Sequence, residues 1–397
     1  MLIMAQKELR VGLIGTQFMG KAHSNAWSQV GHFFNTPVKA VKAAACGRNA
    51  ERAKEFADTW GWQSVETDWR KLIARPDIDL IDICTPNNNH AEIAIAALQA
   101  GKHVACEKPM CMNMDEARKM VDAAHAAKNQ LTTVWYNYRR VPALSLARQL
   151  IQEGRIGKVF HVRAVYLQSW IIDPNFPAIW RLNADVAGSG SHGDLNAHII
   201  DAARYITGEE ITDVVAHMET FVKERPTGNM AGGLSASTNT AGGKVEMAKV
   251  TVDDAVIMLA KLSGGGIGTF EATRFAQGNK NGSKIEINGE KGAIKFEFED
   301  MNWLEFYDAS VKSREQGWVK ISATTGDHPY AGAYWPAGHI IGYEHTFINQ
   351  ASDILNAVSE GNFKKMQPDF DDAAKTQAVL QAATESSHKR AWVSTGC

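Results

Sequence analysis

The chain has 397 residues, 45% apolar and 22% charged, which is ordinary globular usage and excludes a disordered chain, a coiled coil and a disulfide-stapled mini-scaffold. Lysine plus arginine number 42 against 44 aspartates plus glutamates, a formal net charge of -2. No segment concentrates the basic residues, so the footprint of a nucleic-acid binder is missing. Five scattered cysteines, Cys46, Cys84, Cys106, Cys111 and Cys397, form no C-x-x-C pair and fit a reducing cytoplasm. The opening apolar stretch, Met1-Leu2-Ile3-Met4, is too short for a secretory leader. No uncharged apolar run approaches the roughly 18 residues of a membrane span, so a cytoplasmic protein with no membrane partner is expected.

The first third of the chain alternates short apolar runs with amphipathic stretches. Strands are expected over residues 9–14, 38–46, 79–84, 103–106 and 131–135, and helices over 21–30, 50–60, 91–100 and 115–128. Asn49 is placed to cap the second helix, because its side-chain oxygen can accept an orphan amide, and Gly61 to close it. Strands joined in this way by crossover helices imply a doubly wound parallel sheet of the Rossmann type. After Pro142 the pattern changes. A helix over 143–153 and a long strand over 158–170 are followed by strands at 255–262 and 267–274 around Ser263-Gly264-Gly265-Gly266. Two more, at 284–287 and 293–298, flank Asn288-Gly289-Glu290-Lys291-Gly292, where glycine and asparagine supply the positive backbone angles of tight turns. Residues 227–243, rich in glycine, serine, threonine and asparagine, read as a long surface loop. A helix over 345–359 precedes a polar tail region. The length, which suggests two or three domains, resolves into two: an α/β Rossmann domain over 1–137 and an α+β domain over 138–397 with a large, mainly antiparallel open sheet.

The first strand runs into Gly15-Thr16-Gln17-Phe18-Met19-Gly20 and then a helix, the position of a G-x-G-x-x-G turn, where backbone amides and the helix dipole meet a pyrophosphate. Gln17 stands where the middle glycine belongs, and a plain strand-to-helix turn reads the same way in isolation. Context favours the dinucleotide: the turn opens a β-α-β unit, and Thr85-Pro86-Asn87 ends a later strand at the sheet's carboxyl edge. The second strand ends at Cys46-Gly47-Arg48, with no carboxylate for adenosine ribose hydroxyls. Gly47 leaves room for a 2'-phosphate and Arg48 offers a guanidinium to pair with it, so NADP is favoured over NAD. The alternative has Arg48 on the adenine face or in solvent.

Glu107-Lys108-Pro109 follows the fifth strand and puts Lys108 at the same edge. Further on, Ala187-Gly188-Ser189-Gly190-Ser191-His192-Gly193-Asp194-Leu195-Asn196-Ala197-His198 is a glycine-rich approach to a helix expected over 194–207. Asp194 and His198, four apart, share one helix face. That spacing suits proton transfer from an alcohol: a neutral imidazole accepts the hydroxyl proton, and a carboxylate orients the ring or the substrate. A lysine ammonium donating to the same oxygen stabilises alkoxide charge. An equally consistent arrangement has Asp194 capping the helix and His198 packed on the sheet. No serine lies in a G-x-S-x-G elbow. A metal would need a third ligand, for which His192 is only a distant candidate, so none is expected. Trp170, Trp180 and Trp335 offer flat apolar faces, and Gln168, Arg181 and Asn196 offer hydrogen-bond partners, a mixture that suits a carbohydrate, although tryptophans are more often core than ligand platforms.

Together these motifs resemble the glucose-fructose oxidoreductase / inositol dehydrogenase (Gfo/Idh/MocA) family, over nearly the whole chain. The residues that carry the likeness are the Gly15 to Gly20 turn, Thr85-Pro86-Asn87 with His90, Glu107-Lys108-Pro109, and the segment leading to Asp194 and His198. Within the family, Phe18-Met19-Gly20-Lys21-Ala22-His23-Ser24, Asn137-Tyr138-Arg139-Arg140, Tyr166-Leu167-Gln168 with Trp170, Trp180-Arg181 and Glu271-Ala272-Thr273-Arg274 are similar to the levoglucosan-dehydrogenase-like pyranoside 3-dehydrogenases. The resemblance implies a catalytic trio of Lys108, Asp194 and His198, with His198 as general acid/base. Cofactor contacts are implied for Gly15, Thr16, Phe18, Met19, Thr85, Pro86, Asn87, His90 and Glu107, while Gln17 and Gly47-Arg48, which depart from the family's pattern, are expected at the cofactor from their positions. Asn137, Gln168, Trp170, Arg181 and Asn196 would join the trio around substrate. The implied activity is hydride transfer between NAD(P) and a secondary hydroxyl, at carbon 3 of a pyranose or glycoside, in a homodimer or homotetramer built through the second domain's sheet. A cyclitol substrate, or a non-catalytic nucleotide-dependent sugar sensor, are the alternatives.

Overall fold

The computed structural model describes residues 7–229, 237–238 and 246–397, so most of the loop expected over 227–243 lies outside the described residues. The described residues fall into two compact units, one of residues 7–137 with Tyr343–Ala374 and one of residues 138–342 with Lys375–Cys397.

In the first unit, β1 (Lys7–Ile14), α1 (Phe18–Phe33), β2 (Val38–Cys46), α2 (Ala50–Trp60), β3 (Ser64–Glu66), α3 (Trp69–Ala74), β4 (Leu80–Ile83), α4 (His90–Gln99), β5 (His103–Cys106), α5 (Met114–Ala126) and β6 (Thr132–Val134) alternate along the chain. All six strands are parallel, in the order β3-β2-β1-β4-β5-β6. Residues 11–14 of β1 and all of β4 are buried, as helices on both faces of a parallel sheet require. The order reverses beside β1, so the carboxyl ends of β1 and β4 form the switch point where such sheets take ligands. Asn49 caps α2 by accepting from Arg52 N at 2.9 Å, and Gly61 closes it at φ 71°. β3 and α3, absent from the sequence reading, are too short to show a period; Asp68 caps α3 by accepting from Arg70 N.

The second unit starts with α6 (Pro142–Gln152) and β7 (Val159–Leu167), then α7 (Ala184–Ala187), α8 (Ala197–Thr207) and β8 (Ile211–Glu219). Short strands β9 (Glu224–Pro226), β10 (Gly228–Asn229), β11 (Ser237–Thr238) and β12 (Met247–Lys249) make two separate pairs. β13 (Ala255–Leu262), β14 (Ile267–Thr273), β15 (Gly282–Gly289), β16 (Gly292–Glu297), β17 (Trp303–Asp308), β18 (Trp318–Ser322) and β19 (Val393–Ser394) complete a nine-stranded sheet ordered β18-β17-β16-β15-β7-β14-β13-β8-β19. Its pairs are antiparallel except β7 with β14. α8 packs on β7 and β15 and against α6, while Ile257, Leu259 and Ile267 stand exposed. β7 ends at Leu167, three residues short of expectation.

Two expectations need correction. Tyr343–Ala374, expected in the second domain, belongs to the first unit. There α9 (Tyr343–Glu360) packs on α1. β6 is an edge strand with backbone groups to satisfy, and this segment satisfies them: Val134 N donates to Pro368 O at 3.0 Å and Gln350 Nε2 to Val134 O at 2.9 Å. The polar tail is instead a 20-residue helix, α10 (Phe370–Lys389). Its inward face mixes Val379, Leu380 and Ala383 with buried Thr376, Gln377 and Ser386, which hides the apolar period. Ser386 Oγ and Ser387 Oγ earn their places by accepting Ala216 N and Met218 N of β8, each at 3.0 Å.

Candidate active site

At the switch point Gly15 has φ 109°, and a Cβ there would lie 2.4 Å from Cys84 O; one on Gly20 would lie 2.2 Å from Gly15 O. Both glycines are therefore demanded by close packing of the turn on β4 and on the first turn of α1. Gln17 differs: it is the N-cap of α1 at φ -90° and exposed, a conformation open to any residue. Its departure from the glycine pattern costs the backbone nothing. No acidic residue occupies the first turn of α1, so the amide end of the helix, with Phe18 exposed and Met19 half-buried, fits a dinucleotide pyrophosphate. Gly47 lies against Thr16, where a Cβ would approach Oγ1 to 3.2 Å, and Arg48 beyond it is exposed. Thr85, Pro86 and Asn87 are half-buried after β4.

His90 and Glu107, expected at the cofactor, face inward. His90 is fully buried, with Nδ1 2.9 Å from Pro109 O and Nε2 3.0 Å from Thr85 O, and burial lowers its pKa. A neutral ring donates to one of these carbonyls at a time, and a ring with no accessible surface cannot touch a ligand directly. Glu107 Oε1 lies 2.9 Å from His23 Nε2, and its Oε2 accepts the backbone N–H of Lys108 at 3.1 Å. Asn137, expected near substrate, is buried and donates to Thr346 Oγ1 at 2.7 Å. Lys108 itself is half-buried directly after β5.

In the second unit the approach to α8 is built on Asp253. Its carboxylate accepts from Gly190 N (2.7 Å), Ser191 Oγ (2.7 Å) and His192 N (2.8 Å). A Cβ on Gly190 would fall 1.8 Å from Asp253 O, so no other residue fits. The helix expected from 194 begins as a single π-type turn over His192–Asn196 and continues as α8. His192 is buried between Leu380 O (2.9 Å from Nε2) and Asn196 Nδ2 (3.1 Å from Nδ1). Burial lowers its pKa, and both ring nitrogens are engaged. Asn196 thus faces inward as well.

Asp194 does not cap the helix. Its Oδ2 accepts from Arg274 Nη2 at 2.7 Å, and its Oδ1 lies 3.6 Å from Arg181 Nη1. Arg274 is buried, with its guanidinium 5.5 Å from the Trp170 ring centroid, and Arg181 lies 4.5 Å over Trp180. His198, also buried, stacks on Tyr138 at 4.2 Å and 17°. From Tyr138 a hydrogen-bonded chain runs outward: Tyr138 OH to Tyr166 OH (2.8 Å), Tyr166 OH to Asn281 Oδ1 (2.8 Å), Gln168 Nε2 to the same oxygen (2.8 Å), and Trp170 Nε1 to Gln168 Oε1 (2.9 Å). Both ends of the Gln168 amide are used within this chain. Ile171, Ile179, Leu182, Val250 and Val252 form an apolar cluster under the segment bearing Trp170 and Arg181.

The structure thus brings together Trp170, Arg181, Asp194 and His198 through residues the sequence reading did not assign: Arg274, Tyr138, Tyr166, Asn281 and Asp253. Tyr138 and Arg274 lie in segments noted only for their likeness to the family. Nothing local marks Asn281 or Asp253.

A parallel Rossmann sheet with a glycine turn at its switch point is the architecture of a dinucleotide-binding domain, and the second unit presents an aspartate held by two arginines four residues before a histidine. Residues 9–135 match the family described as "Oxidoreductase family, NAD-binding Rossmann fold" (GFO_IDH_MocA), and residues 144–295 match the GFO/IDH/MocA C-terminal domain. The chain is 41% identical to levoglucosan dehydrogenase of Pseudarthrobacter phenanthrenivorans, over 98% of each chain. Two solved structures are similar: an oxidoreductase domain protein from Kribbella flavida (48% identity, TM-score 0.92, 98% of this chain and 99% of that one) and a levoglucosan dehydrogenase in complex with NADH (39%, 0.90, with the same coverage). The protein belongs to the GFO/IDH/MocA family of oxidoreductases. No helix among the described residues is long and apolar enough to cross a membrane.

Proposed function

We propose that the protein oxidises a secondary hydroxyl, at carbon 3 of a pyranose or glycoside, to the ketone, and runs the reverse reduction with the same groups. The observation that carries the reading is the Asp194 carboxylate fixed by Arg181 and Arg274 at the entrance to α8, four residues before His198. A nicotinamide dinucleotide, when bound, supplies the hydride acceptor; the Gly15 to Gly20 turn and the start of α1 would hold its pyrophosphate. His198 accepts the hydroxyl proton, its ring direction set by the Tyr138 stack. Asp194, kept in place by the two guanidinium groups, orients the sugar hydroxyls, and the Lys108 ammonium donates to the hydroxyl oxygen as negative charge grows on it. Trp170 offers an apolar ring face to the sugar. The likeness to levoglucosan dehydrogenase supports a sugar substrate.

For the cofactor, a relative bound to NADH supports NAD, while exposed Arg48 and the missing ribose carboxylate favour a 2'-phosphate. Both dinucleotides are accepted on this reading, NADP preferentially. Arg48→Ala should weaken NADPH far more than NADH in fluorescence titration; equal loss would defeat the 2'-phosphate assignment.

The direct test incubates the protein with each cofactor and a panel of glucosides, levoglucosan, free sugars and inositols, following reduced cofactor by its absorbance. Turnover of inositols alone would replace the sugar with a cyclitol, and tight nucleotide binding without any turnover would make the protein a sensor. His198→Ala should lower kcat roughly 100-fold or more if His198 is the base.

A further inference from the structure

Behind the Glu107-Lys108-Pro109 turn lies a buried polar cluster that the proposed reaction does not use. His23, on α1, has no accessible surface; its Nδ1 is 3.0 Å from Asp82 Oδ1 and its Nε2 2.9 Å from Glu107 Oε1. Asp82, fully buried in β4, also accepts Trp27 Nε1 at 2.7 Å and Trp135 Nε1 at 2.9 Å. Cys84 Sγ lies 3.1 Å from His23 Nδ1, and burial pushes its thiol up to about 12, so it is neutral. His23, Asp82 and Cys84 have the side chains of a metal site. However, Asp82 and Cys84 converge on the same ring nitrogen, and each Asp82 oxygen already receives an indole N–H. The contacts are those of a hydrogen-bonded cluster. Carboxylates facing both nitrogens of one imidazole call for both N–H groups, hence an imidazolium.

The geometry points to His23, held as an imidazolium between Asp82 and Glu107, as a positioning residue that aims Lys108. It draws the Glu107 carboxylate inward, and Glu107 in turn accepts the Lys108 backbone N–H. His90 lies on the other side of the same turn, its Nδ1 2.9 Å from Pro109 O and its Nε2 3.0 Å from Thr85 O, and donates to one of them at a time. The Lys108 backbone is thereby held from α1 on one side and α4 on the other. A buried cluster of two carboxylates and one imidazolium is a poor way to stabilise a core, since apolar residues of similar volume serve as well or better. What it supplies is one orientation of the turn. The inference rests on the reading of Lys108 as catalytic.

The test compares His23→Gln, Glu107→Gln, the double variant and Lys108→Met in the full chain, measuring kcat, KM and NADH affinity. Either glutamine variant should lose about 10-fold or more in kcat, as small misplacements of a reacting group do, with KM and NADH affinity within about 3-fold. The double variant, whose two neutral amides can hydrogen-bond to each other, should recover part of that loss instead of adding the two. Unchanged kcat in His23→Gln or Glu107→Gln beside a crippled Lys108→Met overturns the inference alone. So does a loss that appears equally in kcat and NADH affinity and adds in the double variant. Full kcat in Lys108→Met overturns both the reading of Lys108 and the inference.

Discussion

Arg274 donates Nη2 to Asp194 Oδ2 at 2.7 Å and to Gly190 O at 3.3 Å, so a single buried guanidinium ties the end of β14 to the glycine-rich turn and to the candidate catalytic carboxylate. Arg274→Lys keeps the charge but loses the planar fork. Its expected outcome is a stable protein with kcat reduced about 10-fold, since Asp194 loses its fixed direction. Arg274→Ala should also cost on the order of 3 kcal/mol in a denaturant melt, the scale of breaking a buried pair. A Lys variant with unchanged kcat would remove Arg274 from the site. The cysteines make a separate residue-scale prediction. Four of the five are buried and only Cys397 is exposed, and burial pushes the Cys46 thiol, like that of Cys84, up to about 12. Titration of native protein with a chromogenic disulfide should show one fast thiol per chain; two or more would contradict this burial. Lys108, Asp194 and His198 could be nominated from sequence because each sits in a local pattern. Arg274 was not, since its partner Asp194 is 80 residues away, and His23 was not, since Asp82 and Glu107 are 59 and 84 residues from it.

Among the elements, those with strong local signals appear where expected. β2, α2, β5 and β13 have the anticipated bounds, because apolar period, a capping asparagine and turn glycines all act within a few residues. α2 offers a clean measurement: Asn49→Ala should destabilise by about 1 kcal/mol, the usual worth of an N-cap, read as a lowered urea midpoint at unchanged slope. The turn between β1 and α1 offers a sharper one. A methyl group on Gly20 would meet Gly15 O at 2.2 Å, so Gly20→Ala should abolish NADH binding or folding, whereas Gln17→Gly should leave the fold intact. Elements that local pattern missed depend on partners elsewhere. α10 buries Thr376 and Ser386 because Arg204 Nη1 and the Ala216 amide of β8 donate to their hydroxyls, and the π-type turn before α8 exists because Asp253 gathers three donors there.

The molecule as a whole carries histidines of opposite tendency. For His23, burial alone would lower the pKa, but the charge and hydrogen bond of Asp82 together with the contact to Cys84 outweigh it and hold the value well above 6.5. A raised folded value contributes stability that is fully present below pH about 6.5 and is lost as pH rises through it. Burial lowers His90, His103 and His192; their contribution is present above pH about 6.5 and is lost as pH falls toward the folded values. Melting temperature against pH should therefore fall on both sides of a broad maximum. His23→Gln should flatten the alkaline limb and leave the acid limb in place. The open face of the nine-stranded sheet, with Ile257, Leu259 and Ile267 at 60%, 48% and 56% exposure, fits a second copy of this chain. On that proposal Ile257→Lys with Leu259→Lys should shift a dimer or tetramer toward monomer in light scattering; a wild-type monomer would sink it.

By itself the sequence determined the near-neutral charge balance, the β-α-β rhythm, the hairpins and the motif positions of Lys108, Asp194 and His198. These are properties of composition and of contacts within a few residues. Tertiary structure decided that Tyr343–Ala374 completes the first unit, that His90, Glu107, Asn137 and Asn196 turn inward, and that Asp194 is clamped by two arginines. Burying a polar or charged group is tolerated only when partners satisfy it, and for these residues most of those partners arrive from distant parts of the chain.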